Sequence, residues 1–272
     1  WAFFCLLVCR LVLAQNDPVP LARAHAHNDY EHKRPLFEAL DHGFCSVEAD
    51  IWLINDKLLV AHDEINVRSN RTLQALYLDP LRERVKAGGG RVYRGGPPLS
   101  LLVDVKSNAQ DTYRKLRTVL QGYADILTRF EGGRVFTNAI TVIVSGNRAR
   151  ESMAAETIRF CGLDGRLADL ELDVSSSFIP WISDTWRSNF KWTGNGPFPA
   201  EEKQKLKQLV SRAHARGQIV RLWAAPSGWS RRCRAPTRTS RSPSRPTTAA
   251  CSRPSPRSSA CAGRPRRSPS TS

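Results

Sequence analysis

Apolar runs and polar punctuation alternate along residues 20–226 with two periods. Pro20 to His27, Phe44 to Leu53, Leu58 to His62, Leu101 to Val105, Ala139 to Val144 and Ile219 to Trp223 read as short strands. They are bounded by turn residues such as Asn55-Asp56 and Ser145-Gly146-Asn147. Leu167 to Leu172 reads as a weaker strand. Helical stripes lie between them. Pro35 opens a short helix with Leu36, Phe37 and Leu40 on one face and Gly43 as its stop. Leu73, Leu76, Tyr77, Leu81 and Val85 recur at helical spacing, as do Leu116, Leu120, Tyr123 and Leu127 in a longer helix expected from Asp111 to Phe130. Ala200 to Arg216 is amphipathic and is stopped by Gly217. This β-then-α order predicts an α/β fold with a parallel sheet and helical crossovers. Its closed form is the (β/α)8 TIM-type barrel, which gathers the C-terminal ends of all strands at one mouth.

The two ends of the chain do not share this pattern. Residues 1–14, WAFFCLLVCRLVLA, form an apolar run followed by polar Gln15-Asn16-Asp17, with Val12 and Ala14 as small residues before the break. The run is short for a bilayer span and reads as the hydrophobic region of a signal peptide. The expected destination is therefore secreted or periplasmic, with no stable membrane span in the mature chain. From Ser227 to Ser272 the chain is built mainly from Arg, Ser, Pro, Ala and Thr, with no Leu, Ile, Val or acid. Such a tail cannot bury a core and is expected to be disordered. It has the composition of GC-rich DNA translated out of frame, and it begins where an eighth strand and closing helix ought to follow. The barrel over residues 20–226 is thus expected to be incomplete at its C-terminal end.

Separating the tail changes the meaning of the charge. The net charge is +16, but eleven Arg and no acid lie in the tail, which leaves the body about +5. No nucleic-acid partner is expected for a body of that balance. The cysteines thin out in the same way: of seven, Cys45 and Cys161 alone fall in the body. Two are too few for a disulfide framework, and their pairing is left open.

The candidate chemistry is concentrated in Ala24 to Glu64, AHAHNDYEHKRPLFEALDHGFCSVEADIWLINDKLLVAHDE. Residues two apart on a strand share a face, so Glu48 and Asp50 point one way while Val47 and Ile51 point into the opposite layer. Two carboxylates on one face of an apolar strand repel unless a cation lies between them. Oxygen donors of this kind suit Mg²⁺ or Ca²⁺. His25, His27 and His62-Asp63 close the neighbouring runs and flank that site with imidazoles. Asp104 interrupts an apolar strand, and Lys106 shares its face two residues on. A salt bridge between them is one reading; a lysine clamp on a metal-held phosphate is compatible with it.

The order His27, Glu48-x-Asp50, His62-Asp63 and Asp104-x-Lys106 resembles the phospholipase C-like phosphodiesterase superfamily, which includes glycerophosphodiester phosphodiesterases and sphingomyelinase D enzymes. The wording HAHNDY, PLFEAL and SVEADIWL is most similar to its altered inheritance of mitochondria protein 6 family, over about Arg23 to Pro226. The resemblance implies Glu48, Asp50 and Asp104 as metal ligands and His27 and His62 as an acid/base pair. Trp223 would line the substrate site. It implies a small-molecule or lipid phosphodiester as substrate. The spacing from His27 to Glu48 is similar to that of the sphingomyelinase D branch and favours His27 over His25. His25, Asn28 and Asp63 are left as supporting or alternative residues. Glycerophosphodiesterases carry Arg-Gly after the first histidine, where this chain has Asn28-Asp29.

Two other readings remain open. His25-x-His27 also looks like the metal pair of amidohydrolases, although such sites need more histidines than this chain supplies on later strands. A barrel damaged at its C-terminal end is also compatible with a non-catalytic or inactive product.

Overall fold

A computed structural model of the chain describes residues 18–226. The N-terminal apolar run and the Arg-rich tail, including the signal-peptide and out-of-frame readings, lie outside the described residues. Eleven strands are described: β1 (Leu21–Ala26), β2 (Phe44–Ile54), β3 (Lys57–Val60), β4 (Leu99–Val105), β5 (Arg129–Glu131), β6 (Arg134–Phe136), β7 (Ile140–Gly146), β8 (Ile158–Arg159), β9 (Cys161–Gly165), β10 (Trp181–Thr185) and β11 (Ile219–Trp223). The helices between them are α1 (Phe37–Asp41), α2 (Asp79–Ala87), α3 (Ala109–Gln121), α4 (Arg150–Ala154), α5 (Trp186–Asn189) and α6 (Ala200–Ala215).

Seven strands form one parallel sheet in the order β1-β2-β4-β7-β9-β10-β11, with β3 added antiparallel to β2. Spatial order follows chain order, as a barrel requires. The sheet curls into a half-barrel, which is consistent with an incomplete (β/α)8 fold. Among the described residues β1 pairs with β2 alone and β11 with β10 alone, so each leaves one edge unpaired.

Burial divides the two faces. Val47, Ala49 and Ile51 of β2, Leu101, Val103 and Val105 of β4, and Val142 and Val144 of β7 belong to the main core cluster on the helix side. Leu102, Ile143 and Trp181 form a separate small cluster on the concave side. The register there sets Glu48 beside Leu102 and Asp50 beside Asp104, with Ser145 next to Asp104 on β7. A one-residue slip would bury the acids in the helical layer, which fixes the register strongly. The β2–β3 turn holds Asn55 and Asp56 at φ 47° and 59°, the left-handed pair of a tight hairpin.

Some expected elements differ. The helix from Asp111 ends at Gln121 instead of continuing to Phe130, because Gly122 caps it and the next apolar residues turn back onto the sheet. Phe130 instead enters a hairpin of β5 and β6, turned by Gly132 and Gly133, both with positive φ. Leu167–Glu171 is a short 3-10 helix, not a strand: the Asp169 carboxylate accepts the Arg166 N–H at 2.7 Å and bends the chain locally. Strands β9 and β10 carry no expected counterpart. Their concave-face residues, Gly162, Asp164 and Ser183, interrupt the apolar run from which a strand is read. Cys45 and Cys161 are both buried free thiols.

Candidate metal centre

Three carboxylates converge on the concave face. One oxygen from each of Glu48, Asp50 and Asp104 lies within 4.8 Å of the others. Glu48 and Asp50 come from β2 and Asp104 from the neighbouring β4, where the parallel register sets Asp50 and Asp104 side by side. Gly146, at φ 68°, completes the pocket from β7: a Cβ there would overlap the Asp104 carboxylate and the Val105 carbonyl. That close approach is the reason for glycine in Ser145-Gly146-Asn147.

Each acid is held by a different set of partners. Glu48 Oε2 accepts from His25 Nε2 at 3.2 Å and from Arg221 Nη2 at 3.0 Å, with His27 Nε2 at 3.6 Å. Asp50 Oδ2 accepts from the Tyr30 hydroxyl at 2.7 Å and from His62 Nδ1 at 3.0 Å, and it pairs with Lys106 Nζ at 3.0 Å. The same ammonium lies 3.5 Å from Asp104 Oδ1. Asp50 Oδ1 is buried and has no hydrogen-bond partner among the described residues.

Burial pushes the Glu48 carboxyl up, but the hydrogen bond from His25 and the charges of Arg221 and the histidines outweigh it and hold it at about 2. Burial lowers His25, against the pull of Glu48. A neutral His25 ring with its proton on Nε2 satisfies both contacts, donating to Glu48 and accepting from Ser46 Oγ at 2.7 Å through Nδ1. Asp104 is raised by burial, opposed by Lys106 and reinforced by Asp50 and Glu48. Burial depresses Lys106, yet Asp104 and Asp50 raise it above its ordinary value.

The charge count favours a further cation. Three carboxylates face two close cations, Lys106 and Arg221, and one carboxylate oxygen is left orphaned in a buried position. Oxygen donors this close together suit a hard divalent ion: opposite ligands on such ions stand about 4–5 Å apart. The residues present therefore fit a divalent cation held by Glu48, Asp50 and Asp104.

The other residues singled out by sequence fall around this cluster. His27 and His62 are exposed by 60% and 50%, one against Glu48 and the other against Asp50. His25 lies deeper and meets the edge of Trp181, ring centres 6.1 Å apart. Asn28 adopts the left-handed conformation, and its Oδ1 lies 3.1 Å from the Tyr30 hydroxyl. Trp223 lies beside Arg221, whose guanidinium is 5.9 Å from its ring centre. Asp63 is not brought to the carboxylates: it is exposed and precedes a short 3-10 turn. The His25-x-His27 pair meets a carboxylate, and the ligand-type cluster among the described residues is acidic, not histidine-rich.

Tyr30 and Arg221 were not among the expected site residues, though both left a signal. Arg221 shares a strand face with Trp223, and Tyr30 ends the His27-Asn28-Asp29-Tyr30 run. Asp29 anchors that loop from beneath. Its Oδ2 accepts the Leu36 N–H at 2.5 Å and the Tyr77 hydroxyl at 2.9 Å, holding Leu36 at the unusual φ of 66°.

Comparison with known proteins agrees with the resemblance read from the sequence. Residues 14–89 match the family model described as AIM6-like phosphodiesterase domain. The chain is similar to the altered inheritance of mitochondria protein 6 homolog of Arthroderma benhamiae, 28% identical over 242 residues, covering 80% of this chain and 76% of the relative. It is 27% identical over 259 residues to altered inheritance of mitochondria protein 6 of Saccharomyces cerevisiae, covering 82% of this chain and 66% of the relative. The protein of that name from Lachancea thermotolerans is 29% identical over 246 residues, covering 75% of this chain and 57% of the relative. No solved structure matches the chain. These relatives correct the secreted or periplasmic destination. Their names refer to altered inheritance of mitochondria, inside the cell, and not to a secreted or periplasmic protein. Among the described residues, no helix is long and apolar enough to cross a membrane.

Proposed function

We propose, starting from the match of residues 14–89 to an AIM6-like phosphodiesterase domain, that the chain is a metal-dependent phosphoric diester hydrolase. Its substrate class is a glycerophosphodiester or phospholipid-like diester. The observation that carries the reading is the orphaned, buried Asp50 Oδ1 inside a three-carboxylate cluster flanked by two exposed histidines. A divalent ion bound by Glu48, Asp50 and Asp104 would offset the charge that develops on the phosphoryl oxygens. Mg²⁺ or Ca²⁺ fits the donor set.

The chain's own residues supply the proton handling. His62 turns Nδ1 to Asp50 and Tyr30, which fixes the ring and leaves Nε2 as the atom that exchanges a proton with substrate. His27 stands on the Glu48 side and serves as the second member of the acid/base pair. Lys106 reaches the same carboxylates and is placed to bind a phosphoryl oxygen. Trp223 offers an aromatic wall beside Arg221. The test is turnover of glycerophosphodiesters, lysophospholipids and bis-p-nitrophenyl phosphate with and without chelator. Turnover that survives complete chelation rules out the metal-dependent reaction.

A second reading, an inactive barrel, is favoured by the edges that β1 and β11 leave unpaired among the described residues. If the tail is an out-of-frame product, a single-base shift in the coding nucleotides restores an apolar strand and an amphipathic helix after residue 226. A coding sequence in which no shift does so removes that explanation.

A further inference from the structure

The strand ends that carry the three acids also carry a basic half. Arg148 follows β7, Arg166 follows β9 and Arg221 lies on β11. Two of these guanidinium groups converge on Asp164. Arg148 Nη1 donates to its carbonyl, and Arg166 Nη1 donates to its Oδ2 at 3.0 Å. The Asp164 carboxylate is already occupied, accepting from Ser145 Oγ at 2.7 Å and Ser183 Oγ at 2.5 Å. The neighbouring Asp169 pairs with Arg150 at 2.8 Å. Arg148 is left with no carboxylate at ion-pair distance among the described residues. Burial, and then the charge of Arg166, press its guanidinium below the ordinary value.

Arg148 also borders the metal centre. It lines one cleft with Lys106, the residue that bridges Asp50 and Asp104. Asn147 Nδ2 donates to the carbonyls of Lys106 and Ser107 at 3.1 and 3.0 Å, locking the two loops side by side. Asp164 and Asp169 act on Arg148 only at longer range, and a half-buried cation without a carboxylate in direct contact is costly unless an anion joins it.

We propose that Arg148, with Lys106 beside it, binds a second anionic group of the substrate, a phosphate or a carboxylate. The preferred substrate is then a phosphodiester that carries an additional negative charge. This rests on the hydrolase reading above for the reaction, but the anion site stands on its own geometry.

The test has two arms on the full chain. In the first, inorganic phosphate is titrated calorimetrically into chelator-treated protein. Arg148→Gln is expected to weaken binding by about tenfold, the loss of one charge-assisted contact, while Arg148→Lys retains most of it. Absence of phosphate binding to the unaltered chain, or equal affinity in the Gln variant, overturns the proposal, and the first outcome needs no variant to fold. In the second arm, kcat/KM is compared for bis-p-nitrophenyl phosphate and for diesters bearing an added phosphate or an added carboxylate. An advantage of about tenfold for one of the added groups, removed by Arg148→Gln, supports the proposal and identifies which anion is meant. Equal turnover of all three overturns it and leaves the hydrolase reading intact. No turnover of any diester counts against that reading, and the phosphate titration then decides the anion site alone.

Discussion

The phenolic hydroxyl of Tyr30 donates to Asp50 Oδ2 at 2.7 Å. The Tyr30 hydroxyl oxygen itself lies 3.2 Å from His62 Nδ1, so one side chain from the loop after β1 ties a carboxylate of the metal centre to a candidate proton carrier. Such outer partners fix the orientation of ligating groups. Tyr30→Phe is expected to weaken divalent-ion affinity by about tenfold. It should cost about 1 kcal/mol of stability, the worth of one buried hydrogen bond. Calorimetric titration of Mg²⁺ or Ca²⁺ and a denaturant melt check both. Unchanged ion affinity would reduce Tyr30 to a packing residue.

Asp104 gives a prediction with two signs. Its folded carboxyl titrates above the ordinary aspartate value, first because of burial, so its ionised form lowers stability at neutral pH in the absence of a cation. Asp104→Asn should therefore raise the melting temperature of the chelated protein and abolish the further rise on adding a divalent ion. For the unaltered chain that rise corresponds to about 2.7 kcal/mol at a hundredfold excess over Kd. A melting curve of the variant that still climbs with added metal would remove Asp104 from the ligand set.

The three histidines near the acids separate by depth. His27 and His62 are largely exposed, so His27→Ala and His62→Ala should leave stability within about 0.5 kcal/mol. Turnover should fall by roughly 10²–10⁴-fold, the usual contribution of a general acid or base. His25 is tied through both ring nitrogens to Ser46 and Glu48. His25→Ala should instead cost about 2 kcal/mol of stability, because it strands two buried partners. Steady-state kinetics and thermal melts separate the two behaviours, and full turnover in His27→Ala or His62→Ala excludes that residue from the pair.

How much of this was legible in the sequence depended on which face a residue served. Glu48 and Asp50 could be read because β2 is apolar on its other side and the acids stand out two apart. Asp104 stood out for the same reason on β4. On β9 and β10 the concave positions are Gly162, Asp164 and Ser183, and the polar interior that makes the basic half chemically useful erases the strand pattern. Arg221 was hidden by distance: it lies 173 residues from Glu48 along the chain, and the curl of the sheet alone brings them together. Local spacing reported the hairpin acids, while contacts between distant strands needed the fold.

Acid should weaken the protein in two successive windows. Burial, opposed by Glu48, sets the folded pKa of His25 below 6.5. The unfolded chain then binds more protons below 6.5, and stability is full above that value and declines as pH falls through the folded pKa. Glu48 is held at about 2 against 4.5, so its contribution is full above 4.5 and is lost as pH falls toward about 2. Asp104 runs the other way, since protonating a carboxyl with a raised pKa relieves a buried charge. His25→Gln keeps a donor for Glu48 but removes the titrating ring. Its melting temperature should therefore stay flatter than that of the unaltered chain as pH falls below 6.5, and the two curves should fall together once Glu48 begins to protonate below about 4.5. Arg221 and His27, the other charged or titratable groups facing His25, are present in both proteins and cancel in the comparison. Parallel curves across the upper window would show that the buried imidazole does not set the acid sensitivity, and that Glu48 is held ionised by Arg221 without help from His25.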